Sequence, residues 1–274
     1  MVNTILYKET TKIVLALCVC QKILLISIIN VLFCVKNAIS SNMNAIITGA
    51  TKGIGKAIAL KLAQEGYNLA ICARNENELL KFKAELAPLS IIVLAMVTDC
   101  SNKQQVLNFY EQSIATFKTI DVLVNNVGIF LPGNLLDEPD ENFEQQQQVN
   151  LNASYYLSKY VGKLMRQQQH GHIFNICSVA SLQPIADAGS YGVTKAAMLS
   201  LNHVLRKELA QYNVKVTAVL PGSTLTASWE GTQIHPEKFV QPQDIADSLF
   251  TILNLSSGAN VDELILTPLN FNNQ

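Results

Sequence analysis

Tyr191 and Lys195 set a phenol and an amine four residues apart in the run Tyr191-Gly192-Val193-Thr194-Lys195. On a helix, positions i and i+4 share a face, so the two groups can act on one spot. Alone, such a pair is equally an exposed helix pair. Its weight rises because Ser178 stands 13 residues earlier, just past a predicted strand, and a glycine-rich turn precedes both. That turn reads Thr48-Gly49-Ala50-Thr51-Lys52-Gly53-Ile54-Gly55. It follows the apolar run Ala45-Ile46-Ile47 and leads into residues 56–63, which are apolar at helical spacing. Strand, glycine turn and helix together make a dinucleotide cradle. Glycines allow the tight turn and the close approach of backbone to a pyrophosphate, and a helix N-terminus attracts the anion. The spacing Gly-x-x-x-Gly-x-Gly departs from the commoner Gly-x-Gly-x-x-Gly, and a glycine turn without a ligand is the competing reading.

The elements that must position these groups alternate along the chain. Strands are predicted at residues 45–47, 68–73, 91–97, 121–124, 171–177, 214–220 and 261–266. Helices are predicted at 56–63, 75–86 with Asn75 as cap, 102–117, 139–165, 190–212 and 241–254. Residues 91–97 are continuously apolar, as a strand buried on both faces should be. The run Gln145 to Gln148 within the long fourth helix reads as a polar exposed face. Repeated β-α units predict an α/β fold: a Rossmann-type, doubly wound parallel sheet, three layers in a single domain. Ligands in such sheets sit beyond the carboxyl ends of the strands. Residues 49–55, Arg74, Asp99, residues 125–128, Ser178 and Pro221-Gly222 follow strands one to six in turn, and so fall on that edge.

At this point the chain closely resembles the short-chain dehydrogenase/reductase family over about residues 43–269. The matching signatures are Thr48-Gly-x-x-x-Gly-Ile-Gly55, Asn125-Asn-x-Gly128, Asn150, Ser178, Tyr191-x-x-x-Lys195 and Pro221-Gly222. The resemblance implies that Tyr191 is the general acid that protonates a carbonyl oxygen while the cofactor delivers hydride to carbon. An ammonium beside a phenol favours the phenolate, which is the service expected of Lys195. The resemblance also has Lys195 bind the nicotinamide ribose, Ser178 donate to the substrate oxygen and Asn150 hold a water in a proton relay to Lys195. A strand-end hydroxyl and a helix-kinking amide bonded to backbone are the plain alternatives for Ser178 and Asn150. The implied cofactor-binding set is Gly49, Thr51, Lys52, Gly53, Ile54 and Gly55 in the turn, then Arg74, Asp99, Asn126, Gly128, Tyr191, Lys195, Pro221, Gly222 and Thr226. Asp99 is similar to the family residue at adenine, and Thr226 to the threonine that bonds the carboxamide.

Charge argues for the cofactor. An acid at the end of the second strand would bind the ribose hydroxyls of NAD and repel a 2′-phosphate. The chain has Arg74 there instead, and Lys52 within the glycine turn. Both suit one phosphate, Arg74 through its planar fork. NADP(H) is therefore expected ahead of NAD(H). The substrate segment, residues 223–238, is short and carries no arginine to clamp a carboxylate. Trp229 in it reads either as the wall of an apolar pocket or as a packed loop residue. The C-terminal residues 258–269 lack the glycine-rich ending of the family's ketoacyl-carrier-protein reductases, and resemble more its reductases of small 3-hydroxy acids and its sepiapterin-reductase-like members.

Composition sets the outer limits. The chain has 274 residues and a formal net charge of −1, which gives no electrostatic reason to expect nucleic acid. Six cysteines and four histidines are scattered without metal-ligand spacing. Residues 13–35 are an apolar stretch of 23 residues, interrupted by Gln21, Lys22 and Asn30. Three readings compete for residues 1–42: a start placed upstream of the true one at Met43, a membrane anchor, or a signal peptide. The domain proper is then 43–274, cytoplasmic, with membrane contact only if the extension is an anchor. Partners expected are a small carbonyl or alcohol substrate and, by the family resemblance, a second copy in a homodimer or homotetramer. The reading of a different class is a catalytically silent NADP(H)-binding regulatory or scaffold protein. The complete set of Asn150, Ser178, Tyr191 and Lys195 speaks against it. An epimerase of the family's extended branch would need a larger C-terminal region.

Overall fold

A computed structural model describes residues 43–271 of the chain. The expectations for residues 1–42, with Cys18, Cys20 and Cys34, lie outside the described residues. The strands are β1 (Asn44–Thr48), β2 (Asn68–Ala73), β3 (Val93–Val97), β4 (Val122–Asn125), β5 (Gly171–Ile176), β6 (Val214–Pro221) and β7 (Glu263–Leu266). The helices are α1 (Gly53–Gln64), α2 (Glu76–Leu86), α3 (Lys103–Phe117), α4 (Asp140–Gln146), α5 (Ala153–Gln168), α6 (Gly189–Leu209) and α7 (Pro242–Leu253). The strands form one parallel sheet ordered β3-β2-β1-β4-β5-β6-β7. This is the doubly wound arrangement the alternation predicts.

The two-residue period of β1 divides the core. Ala45 and Ile47 face one cluster with Ile58 and Leu62 of α1, Leu79 and Phe82 of α2, and Ile245 and Leu249 of α7. Ile46 faces the other with Val106 and Phe109 of α3 and Leu157 and Val161 of α5. Being covered on both sides explains why the central strands read as unbroken apolar runs. Asn75 caps α2, its side chain accepting the Glu78 N–H at 3.0 Å.

Three expectations need correction. The apolar run 91–97 is not a strand buried on both faces. Only Val93–Val97 is strand; it lies at the sheet edge, and Val97 is half exposed. The fourth helix is not one helix: a π-helical turn, Gln147–Asn152, separates α4 from α5. Gln146 is not on an exposed face. It is fully buried, and its Oε1 accepts the Leu131 N–H at 3.1 Å. Periodicity cannot register an inserted residue of this kind, and π turns concentrate at functional sites.

Strand order reverses between β1 and β4, so the loops after these strands part and leave a crevice. One side chain spans it. Asn126 Nδ2 donates to Thr48 O at 2.8 Å and to Gly49 O at 3.0 Å. The Thr48 hydroxyl in turn accepts the N–H groups of Asn126 and Val127, each at 3.0 Å. Gly55 permits this closeness, since a Cβ there would stand 2.3 Å from both Asn126 Nδ2 and Gly49 O. Gly49 and Gly53 hold φ angles of +65° and +52°, the left-handed region that favours glycine.

Under the opposite half of the sheet lies His172, a β5 residue only 4% exposed and stacked on Phe174 at 3.9 Å. Thr217 donates its hydroxyl to Val261 O at 2.7 Å and so accepts from His172 Nε2 at 2.8 Å. Burial, helped by Lys215, pushes the imidazole down from its ordinary 6.5 to about 3. The imidazole is therefore neutral in the fold.

Two outcomes follow for stability. Gly55→Ala forces Asn126 or the turn backbone to move and is expected to cost roughly 1–3 kcal/mol, read as a lowered thermal midpoint; an unchanged midpoint would refute the tight contact. For His172 the folded chain refuses a proton that the unfolded chain binds, so stability is full above pH ~6.5 and falls as pH drops. Between pH 6 and 4.5, the unfolding free energy of the native protein from urea titrations should fall by roughly 1.0–1.4 kcal/mol per pH unit more than that of His172→Gln. Parallel profiles for the two proteins would remove His172 as the cause.

Candidate active site

The carboxyl ends of the strands open into one cleft of about 890 Å³. Fifteen of the residues predicted from sequence line it. From the turn after β1 come Gly49, Thr51, Lys52, Gly53 and Ile54; Arg74 and Asp99 follow β2 and β3; Asn126 and Gly128 follow β4. Ser178, Tyr191, Lys195, Pro221, Gly222 and Thr226 complete the lining of the cleft. Gly55 and Asn150 do not line it. Both are buried behind the residues that line the cleft.

At the cradle, α1 begins at Gly53 with Lys52 in extended conformation, no side-chain cap and no acid in its first turn. Its first N–H groups are thus left to a ligand, and an anion suits them. The residues fit a dinucleotide on this ground and on the contacts of Gly49 and Gly55. Thr226 stands over the turn, its Cγ2 at 3.0 Å from where a Gly53 Cβ would be.

Lys195 is the most constrained charge in the site. It is 4% exposed, and its Nζ donates to Ile176 O at 2.8 Å. The ammonium lies 5.8 Å from the centre of the Tyr191 ring, one helical turn earlier on α6. An ammonium carries three donors, and a buried one needs acceptors for them. The acceptors that a cofactor ribose and a water would bring match that need. Phe130 packs edge-on against Tyr191 at 5.0 Å and 78°, fixing the phenol from the other side.

Asn150 sits on the π turn with its amide engaged three ways. Oδ1 accepts the Ile129 N–H at 2.8 Å, while Nδ2 donates to Ile129 O at 3.0 Å and to Thr194 Oγ1 at 3.2 Å. Thr194 donates to Tyr191 O at 2.9 Å. A chain of bonds thus runs from the loop after β4 through the π turn to the backbone of Tyr191. Asn150 Oδ1 and Lys195 Nζ flank Gly128 at 3.4 and 3.5 Å from where its Cβ would lie. Ser178 is 8% exposed; its Oγ accepts the Ala180 N–H at 3.1 Å, which leaves its O–H to donate.

Several site residues were not legible in the sequence. Glu78 of α2 lines the cleft and pairs with Lys52 at 2.8 Å, and Thr51 Oγ1 donates to it at 3.4 Å. The hydrogen bond between them holds the Glu78 carboxyl below its ordinary range and the Lys52 ammonium above its own. Arg74 is exposed at the same end of the cleft, with no carboxylate partner among the described residues. Phe130, Thr194 and Phe271 were also missed. Both readings of Trp229 hold together: it lines the cleft, and it packs edge-on against Phe239 at 5.1 Å and Phe271 at 5.5 Å. Glu138, from the loop after β4, binds Ser190 at the start of α6 through its backbone N–H at 3.2 Å and its hydroxyl.

His170 and His172, which flank Gly171, have separate partners. His170 is exposed on Asp121 at 2.9 Å, whereas His172 is buried on Thr217. No group of three or more metal-ligating side chains occurs among the described residues. No helix among them is long and apolar enough to cross a membrane.

Comparison with known proteins agrees with this geometry. A family model described as short chain dehydrogenase matches residues 43–236. An uncharacterized oxidoreductase of Staphylococcus epidermidis is 35% identical over 225 residues, which is 82% of this chain and 96% of that protein. Among solved structures, an alcohol dehydrogenase from the archaeon Thermococcus sibiricus, complexed with 5-hydroxy-NADP, is 28% identical with a TM-score of 0.78. The likeness covers 85% of this chain and 99% of that one. A 7α-hydroxysteroid dehydrogenase complexed with NADH and an oxo bile acid is 27% identical with a TM-score of 0.76, covering 82% of this chain and 92% of that one. The chain therefore belongs to the short-chain dehydrogenase family of oxidoreductases.

Proposed function

We propose that the chain is an NADP(H)-dependent oxidoreductase acting on a carbonyl group or its secondary alcohol, with Tyr191 as the acid and base. The observation that carries the reading is the buried Lys195 ammonium beside Tyr191, on the same wall of the cleft as Ser178. The glycine turn, Arg74 and Lys195 would hold a nicotinamide dinucleotide along the cleft, and its nicotinamide would supply the hydride. The substrate oxygen is received by two O–H donors, Ser178 and Tyr191. Charge develops on that oxygen as the carbonyl is reduced, and fixed donors there stabilise it. Tyr191 gives up its proton to the oxygen, and Lys195 compensates the phenolate left behind. Asn150 sets the π turn under Gly128, from which a water relay to Lys195 restores the proton.

Lys52 and Arg74 support NADP(H) over NAD(H), since a 2′-phosphate pairs with cations and the position directly after β2 is Arg74 rather than an acid. Neighbouring structures carry NADP in some cases and NADH in others. The far end of the cleft supports an uncharged, apolar carbonyl substrate. Phe130, Val179, Ile185, Trp229 and Phe271 line it, and the charged lining residues are Lys52, Arg74, Glu78, Asp99 and Lys195. All but Lys195 lie on the cofactor side. A carboxylated substrate would find no cation of its own there. Exposed Tyr155 on α5 and Val193 and Val204 on α6 support a homodimer or homotetramer built on those helices.

Oxidation of NADPH in the presence of a panel of neutral ketones, each matched with a carboxylated analogue, tests the reading. Turnover is expected with NADPH and neutral ketones. Tyr191→Phe should lose at least ~100-fold in kcat and keep its affinity for NADPH. A Tyr191→Phe protein with unchanged turnover would exclude the phenol as acid, and one with no turnover to lose would favour a silent nucleotide-binding protein.

A further inference from the structure

We infer that Glu78 sets the nucleotide selectivity of the cleft by competing with a 2′-phosphate for Lys52. The inference deepens the proposed function and rests on its dinucleotide reading.

The adenosine end of the cleft carries two cations suited to one phosphate, Lys52 and Arg74, but they are not equally available. Glu78 Oε1 lies 2.8 Å from Lys52 Nζ, and its Oε2 accepts from Thr51 Oγ1 at 3.4 Å. The carboxylate is held on that side by the helix that bears it. Asn75 Oδ1 binds the Glu78 N–H at 3.0 Å, which fixes the first turn of α2 against the end of β2. A 2′-phosphate reaching for Lys52 and Arg74 must therefore separate Lys52 from Glu78, or sit beside a carboxylate of its own sign. A ribose with a free 2′-hydroxyl brings no such charge and leaves the pair intact. Glu78 thus weakens NADPH selectively and narrows the preference that Lys52 and Arg74 create. It stands in the first turn of α2, past the strand-end position where an NAD-selecting acid is usually sought, which is why the sequence does not reveal it.

The size of the effect follows from exposure. The Lys52 side chain is 62% exposed and Glu78 31%, so water and salt screen the pair, and its influence is a few-fold rather than orders of magnitude. Glu230 and Lys81 act on Lys52 and Glu78 through longer-range charge alone and do not change the sign.

The test is equilibrium binding of NADPH, NADH and 2′,5′-ADP to the full chain, by nucleotide fluorescence or calorimetry, in the native protein, Glu78→Gln, Lys52→Met and the double variant. Gln keeps the shape of the side chain and removes its charge. At low salt Glu78→Gln should bind NADPH and 2′,5′-ADP roughly five-fold more tightly, with NADH changed less than about two-fold. The gain should shrink at several-fold higher salt and fall below about two-fold when Lys52 is already Met. Unchanged NADPH affinity, or an equal gain without Lys52, would overturn the inference. So would weakened NADH binding, which would make Glu78 a ribose ligand. A native protein that binds none of the three overturns the dinucleotide reading itself, a distinct result.

Discussion

The carboxamide of Asn126 is the fastening on which the site depends. Where strand order reverses between β1 and β4, the backbone leaves the sheet in two directions and offers no ladder hydrogen bonds to hold the loops together. Asn126 supplies them from its side chain, donating to Thr48 O and Gly49 O, while Thr48 returns a hydroxyl to two N–H groups after β4. Buried backbone polar groups at such a place must find partners or cost stability. The glycines are consequences of this closeness. Gly55 is glycine because the amide occupies its Cβ space, and Gly49 and Gly53 because the turn over it needs left-handed backbone. The opening they leave is the entrance to α1, whose N–H groups remain unspent.

A second constraint organises the chemistry on the other wall. Lys195 is taken out of water and given one carbonyl, that of Ile176. Such a charge is costly unless further acceptors arrive, so the pocket is prepared for polar ligands at that point and few others. The π turn holds the opposite side. By inserting a residue between α4 and α5, it turns Asn150 to face both Ile129 and Thr194, and Thr194 carries the link to Tyr191. Loop, π turn and α6 are thereby one hydrogen-bonded unit, and a change at Asn150 would be felt at the phenol without any direct contact.

The two ends of the cleft follow different physics. Charge governs the adenosine end, where exposed groups act weakly and under control of salt. Apolar contact governs the other, where Trp229, Phe239 and Phe271 pack edge-to-face and bring the C-terminal segment against the substrate loop. The lining of the cleft is thus charged at one end and mostly apolar at the other.

The sequence by itself determined the alternation of strands and helices, the parallel sheet, the edge at which the cleft opens and fifteen of the residues that line it. These are local or repetitive properties: apolar runs, helical spacing, caps such as Asn75, and glycines at a turn. It also determined the family, because Tyr191, Lys195, Ser178 and the turn from Gly49 to Gly55 keep a fixed order and spacing. Only the tertiary structure decided that residues 91–97 lie at the sheet edge, since a run of apolar residues does not say how many neighbours a strand has. It alone turned Gln146 and Asn150 inward, because a π turn shifts every later side chain while leaving helical composition unchanged. It alone brought Glu78 to Lys52 and Phe271 to Trp229, pairs joined through space by the parallel pairing of β1 with β2 and by the return of the chain after β7. Contacts between distant segments depend on the packing of whole elements, and no local pattern encodes them.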